Sequence, residues 1–169
     1  MGELLMSMNM TTEEMVAYFR KNLICETLTR QEVAALREYL QDVTFKKDQI
    51  IAEIGDVGDS LYFVVSGKSA LFREEEGDEV KVASMKEGTL VGEMSFFDRK
   101  PRNVRIKAES KNVQMLVLTR AMYQRLKIEH PIIAVNLLEN AIVSLDYLIR
   151  HMGEDIANLN HYFYGNGRH

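Results

Sequence analysis

The residues best suited to chemistry lie in one ordered stretch, Gly92-Glu93-Met94-Ser95-Phe96-Phe97, followed after three residues by Pro101-Arg102. Small residues at Gly92 and Ser95 allow backbone N–H groups to approach an anion, and a short helical turn over Glu93 to Phe97 would present unpaired donors to it. Arg102, held by the rigid Pro101, can fork onto two phosphate oxygens. Glu93 is an acceptor-only carboxylate, suited to a sugar hydroxyl rather than to a phosphate. Together these groups fit a compact ligand with one anionic phosphate beside a free hydroxyl. Taken singly they say little, since a Gly-Glu pair is ordinarily a turn and a lone Arg on a β-protein is ordinarily solvated. Glu93 and Asp98 could also be imagined as an acid–base pair, but sugar binding and helix-end capping explain them more simply. With no nucleophile elbow, Walker-type loop or spaced metal cluster, the sequence predicts a binding protein and not an enzyme.

The elements that must position this stretch are legible on both sides. Thr11-Thr12-Glu13-Glu14 and Thr29-Arg30-Gln31-Glu32 are capping-box signatures. Each opens a short helix, with Val16, Phe19 and Leu23 as one apolar stripe and Val33, Leu36, Tyr39 and Leu40 as the other. From about Val43 the period shortens. Val43, Phe45, Ile50 and Ile51 begin extended segments, and Leu61 to Val65 is a β-branched and aromatic run of strand length. Lys68 to Arg73, Val80 to Met85 and Val113 to Leu118 are further short strands between Gly-containing corners. This pattern predicts a sandwich or barrel rather than alternating strands and helices. Glu74 to Glu79 reads as an acidic, solvated hairpin tip that discourages edge pairing. After Thr119 the helical period returns, with Pro131 at a helix start. Leu138, Ala141, Leu145, Leu148, Met152 and Leu159 fall near heptad spacing, widened by Ile142, Ile149 and Ile156. The outer part of that stripe is read as a dimer seam, with packing on the barrel as the alternative.

Composition narrows the partners. The 169 residues carry 21 Lys and Arg against 25 Asp and Glu, a net charge of −4. That balance argues against nucleic acid, whose binding draws on neutralising phosphates. No apolar run reaches membrane-spanning length, and the N-terminus lacks a signal-peptide pattern. Cys25, the single cysteine, excludes an internal disulfide and reads as a small hydrophobe in a reducing cytosol. A soluble, cytoplasmic protein is expected.

The stretch from Gly88 to Val104 closely resembles the phosphate-binding cassette of cyclic-nucleotide-binding domains, the family of the catabolite activator protein and the protein kinase A regulatory subunit. Gly55-Asp56 and Gly58 to Gly67 are similar to that family's corner and central strand, and the similarity runs from about Thr29 to Leu148. It implies a mainly β fold with flanking helices: an eight-stranded double-stranded β-helix (jelly-roll) barrel with N-terminal helices and a long C-terminal helix over the ligand. The ligand would be cAMP or cGMP, with no further cofactor and no metal. By this resemblance Arg102, Asn103, Val104 and Ser95 hold the phosphate, and Glu93, Gly92 and Met94 the ribose. Leu90, Arg105 and Leu148 would meet the base, and Leu148 with Ile149 facing it would make that contact apolar and weakly selective. Val104 and Arg105 depart from the family, which commonly has a small Ala and a smaller or aromatic residue there.

The implied organisation is N-terminal helices over 1–42, a barrel over 43–119 with its cassette at 88–104, and C-terminal helices over 120–169 for dimerisation or closure. Met1 reads as a native start, and a chain ending at His169 leaves no room for a DNA-binding helix-turn-helix. Output is therefore expected through a homodimer or an unknown effector protein. Two alternatives stand beside this reading. One is a degenerate barrel that serves only as an interaction or dimerisation unit. The other is a cupin-like metalloenzyme, whose ligands would have to come from His130, His151, His161 and His169, all beyond the barrel.

Overall fold

The computed structural model describes residues 9–164, without the side chains of 148 and 151–164. Helices α1 (Thr12–Lys21) and α2 (Arg30–Arg37) come first. Both begin as the sequence predicts, with Thr11 and Glu14, then Thr29 and Glu32, forming reciprocal capping boxes. Each such cap contributes about 1 kcal/mol. Leu23 departs from the predicted stripe. The chain leaves α1 after Lys21, Leu23 adopts left-handed backbone at φ 54°, and its side chain is exposed while Ile24 turns into the core.

Eight strands follow: β1 (Gln41–Lys46), β2 (Ile50–Ala52), β3 (Ser60–Ser66), β4 (Ser69–Glu75), β5 (Asp78–Met85), β6 (Leu90–Val91), β7 (Arg105–Ala108) and β8 (Asn112–Thr119). Helix α3 (Glu93–Asp98) lies between β6 and β7, and α4 (Arg120–Glu129) and α5 (Pro131–Tyr164) complete the chain. The strands form two antiparallel four-stranded sheets, ordered β1-β8-β3-β6 and β2-β7-β4-β5. This is the jelly-roll barrel with flanking helices that the sequence implies.

Two cores divide the work. Tyr62, Val64, Leu71, Val91, Ile106, Met115 and Val117 fill the space between the sheets. Leu61, Phe63, Leu90, Phe96, Leu116 and Leu118 face the helices, where they meet Met15, Phe19, Leu36, Leu126, Ile133 and Leu137. Strand β3 is covered on both faces, which is why it reads as an unbroken apolar run instead of alternating.

At the junction of α4 and α5, Thr119 caps α4 by accepting from the Met122 amide, and Pro131 occupies the first position of α5. Helix α5 turns Ile133, Ala134, Leu137 and Ala141 to the core and leaves Ile132, Val135, Ile142 and Ile149 exposed. The heptad stripe thus splits: Ala141 belongs to the core, whereas Ile142 and Ile149 face outward. Leu148, Met152, Ile156 and Leu159 have side chains outside the described residues. Cys25 is buried, and burial pushes its thiol pKa up to about 12.

Candidate functional site

Strand β6 is only two residues long because Gly92 bends it sharply into α3. Gly92 caps α3 in left-handed backbone, φ 91°. A Cβ there would lie 3.2 Å from both the Ser60 carbonyl oxygen and the Tyr62 ring, so glycine answers both a conformational and a steric demand. Helix α3 then points its first turn toward the segment that carries Arg102. That segment is clamped by two backbone bonds of 2.8 Å, from the Arg102 amide to the Asp56 carbonyl and from the Gly55 amide to the Arg102 carbonyl.

Between α3 and this segment opens a cavity of about 240 Å³, lined by Gly92, Glu93, Met94, Ser95, Arg102, Asn103 and Val104, with Leu71, Met85, Val91 and Ile106 as its apolar wall. Seven of the predicted site residues are therefore brought together. Glu93 and Arg102 are only 7% and 9% exposed. Among the described residues no carboxylate lies within ion-pair distance of Arg102. A buried guanidinium without a counter-ion is costly unless an anion reaches it. Burial also drives the Glu93 pKa above the usual carboxylate range, opposed by its own backbone amide and by the charge of Arg102. One face of the cavity thus offers a cation, the other an acceptor, and the wall between them is apolar.

One expectation becomes more specific and two need correction. Ser95 lines the cavity, but its hydroxyl is already engaged: it accepts from the Gly58 amide at 2.7 Å and donates to the Lys100 carbonyl at 2.6 Å. Only the Ser95 backbone amide, in the first turn of α3 and so without a helical acceptor, is left for a ligand. Leu90 does not face the cavity. It sits in the helix-side core, and its neighbour Val91 takes the interior position, because adjacent strand residues point to opposite faces. Arg105 likewise faces outward while Ile106 faces in. Its guanidinium bonds Glu53 at 2.7 Å, Glu79 at 2.7 Å and Glu74 at 3.0 Å. The acidic hairpin read as simply solvated is therefore partly a receptor for Arg105, and for Lys107, which donates to Glu79 at 2.6 Å. Leu148 lies in α5, with its side chain outside the described residues.

The wall residues Leu71, Met85, Val91 and Ile106 escaped the sequence reading. The alternation of β4 and β7 was the available signal, since interior residues recur every second position. Asp98 also lines the cavity and accepts from the Lys100 amide at 2.9 Å, a turn-forming role and not that of an acid–base partner. Among the described residues there is no group of three or more His, Cys, Asp or Glu that could hold a metal ion.

A family model for the cyclic nucleotide-binding domain matches residues 42–130, more than half of the chain. The chain belongs to this family. Cyclic AMP receptor protein of Thermus thermophilus is 34% identical over 129 residues, covering 72% of this chain and 59% of that protein. The cGMP-dependent protein kinase of Plasmodium berghei is 30% identical over 100 residues, 57% of this chain but 11% of the kinase. Against the first four curated relatives the chain spans from 11% to 59% of their length. Among solved structures, the Thermus thermophilus catabolite activator protein superposes with a TM-score of 0.63 at 31% identity, covering 78% of this chain and 61% of that one. A cyclic nucleotide-binding domain from Methylobacillus flagellatus shares the fold at a TM-score of 0.79 and 22% identity, over 90% of this chain and 85% of its own.

Proposed function

We propose that this cyclic nucleotide-binding domain takes up cAMP or cGMP in the barrel cavity and acts as a sensory module, not a catalyst. The supporting observation is the buried Arg102, without a carboxylate partner among the described residues, on the same cavity as the buried acceptor Glu93. A cyclic nucleotide supplies both missing partners. Its phosphate would sit on Arg102 and the first-turn amides of α3, flanked by Asn103 and Val104. The ribose hydroxyl would donate to Glu93 beside Gly92 and Met94, and the base would lie against the apolar wall. Residues 1–42, 43–119 and 120–169 would act as support, binding barrel and output.

Output through a homodimer is supported by the exposed apolar residues Ile132, Val135, Ile142 and Ile149 on α5, spaced three and seven apart. No helix among the described residues is long and apolar enough to cross a membrane; a cytoplasmic location accords with this and with the buried, unreactive cysteine. Isothermal titration with cAMP and cGMP tests the reading. Saturable heat with either nucleotide is expected. No heat and no thermal stabilisation at millimolar nucleotide would overturn it in favour of a barrel that serves only for interaction.

A further inference from the structure

Arg120 occupies an electrostatically awkward place. It is the first residue of α4, where the helix dipole disfavours a cation. Its guanidinium meets no carboxylate within ion-pair distance among the described residues. Instead one terminal nitrogen donates to two backbone carbonyls, Gly58 at 2.5 Å and Phe96 at 2.6 Å, and the group stacks on the Phe96 ring at 4.4 Å. The Phe96 carbonyl belongs to the last turn of α3 and has no helical donor of its own. Arg120 therefore caps the C-terminal end of the short helix whose N-terminal end holds Glu93. Its backbone amide also donates to the Asp59 carbonyl at 2.7 Å, fixing the start of α4 to the same loop.

Gly58 makes this a direct link to the ligand side. A Cβ on Gly58 would lie 2.7 Å from a terminal nitrogen of Arg102 and 2.9 Å from the Phe96 amide nitrogen. The Gly58 amide donates to Ser95, and its carbonyl accepts from Arg120. One backbone unit is thus wedged between Arg102, α3 and Arg120. One helical turn beyond Arg120, Tyr123 packs edge-on against Phe96 and Phe97 at 5.5 and 5.9 Å between ring centres, so α3 and α4 share both a polar tie and an apolar seat.

We propose that Arg120 is the positioning residue that transmits occupancy of the cavity to α4 and α5. The inference rests on the nucleotide-binding reading above. A ligand that draws α3 and Arg102 together would shift Gly58 and the Phe96 carbonyl, and the guanidinium nitrogen shared between those carbonyls would carry that shift into the first turn of α4. Such transmission is a coupling free energy between two sites, and it acts in both directions.

The test uses the full chain with Arg120→Met, which keeps an apolar stem over Phe96 and removes the donors, and Arg120→Gln, a neutral amide too short to reach both carbonyls. Nucleotide affinity is measured by titration. Hydrogen exchange is followed by mass spectrometry with and without saturating cAMP. In wild type, cAMP is expected to change protection in α3 and also in α4 and α5. In R120M the α3 change persists, the α4 and α5 change is lost, and the Kd rises about fivefold or more. R120Q behaves as R120M does. A wild-type response in α4 and α5 of R120M overturns the proposal, as does a wild-type protein that binds cAMP without any change there. Should R120M fail to fold, a full wild-type response in R120Q overturns it equally. Failure of wild type to bind either nucleotide removes the binding reading itself, and the coupling with it.

Discussion

Two arginines three residues apart, Arg102 and Arg105, are both largely removed from solvent yet live in opposite electrostatic circumstances. Arg102 is on the cavity with no carboxylate within ion-pair distance among the described residues; Arg105 lies on the outer face of β7 with Glu53, Glu74 and Glu79 around it. On the proposed reading, the difference separates a charge kept free for an anion from one committed to the fold. A guanidinium already saturated with carboxylates has no vacancy for a phosphate. One left unpaired in a low-dielectric pocket binds an anion strongly because the alternative is an uncompensated buried charge.

The sharpest way to break this contrast is Arg102→Ala. Nucleotide affinity is expected to fall about 100- to 1,000-fold, the usual consequence of deleting one partner of a buried charge pair. The unliganded protein should melt at an equal or higher temperature, because the substitution removes an unpaired buried charge. Retained affinity by titration would show that Arg102 is no more a binding charge than its neighbour. Gly58→Ala moves Arg102 without altering its charge. The new methyl meets the guanidinium and the backbone of α3, so affinity should drop about tenfold, measurable in the same titration.

Glu93→Gln tests the other side of the cavity. Losing the charged acceptor should weaken binding by about tenfold, while the unliganded protein gains melting temperature at neutral pH. The sign follows from its raised pKa: the folded protein holds the proton more tightly than the unfolded chain, so the contribution of Glu93 to stability falls as pH rises from 4.5 through the raised value.

Arg105→Gln should have the smallest effect on binding, leaving the Kd within about twofold while lowering the melting temperature by a few degrees. Its partners carry the opposite pH signature. Hydrogen bonds from Lys107 and Arg105 hold the Glu79 pKa below the usual carboxylate value, and the Ile54 amide with Arg105 does so for Glu53. Their contribution is therefore present above 4.5 and lost as pH falls through the lowered values. Thermal melts across the acid range should show a shallower acid loss in R105Q than in wild type. An unchanged profile would dissolve the distinction between the two arginines.

Much of the cassette was legible because its demands are local. Gly92, Glu93 and Arg102 line one cavity and lie in one short stretch of chain, so their order survives in the sequence. The capping boxes at Thr11 and Thr29 and the helix start at Pro131 were legible for the same reason. What escaped depends on partners distant in sequence. Nothing in Leu90-Val91 says which residue faces the barrel interior, since both are apolar and the strand has two buried sides. The outward turn of Arg105 depends on carboxylates 26 to 52 residues away, and Arg120 binds backbone carbonyls, which leave no mark in a sequence. Leu23 shows the limit of periodicity, because a left-handed bend can end a helix just before the next apolar position.

The buried thiol of Cys25 has a practical side. As the chain's single cysteine, buried and with a pKa pushed up to about 12, it offers thiol-directed dyes no exposed thiolate. A cysteine introduced at an exposed position such as Ile142 could then carry a fluorophore as the sole labelled site. Whatever α5 does when the cavity fills could be followed optically, one molecule at a time, without first rebuilding the interior of the protein.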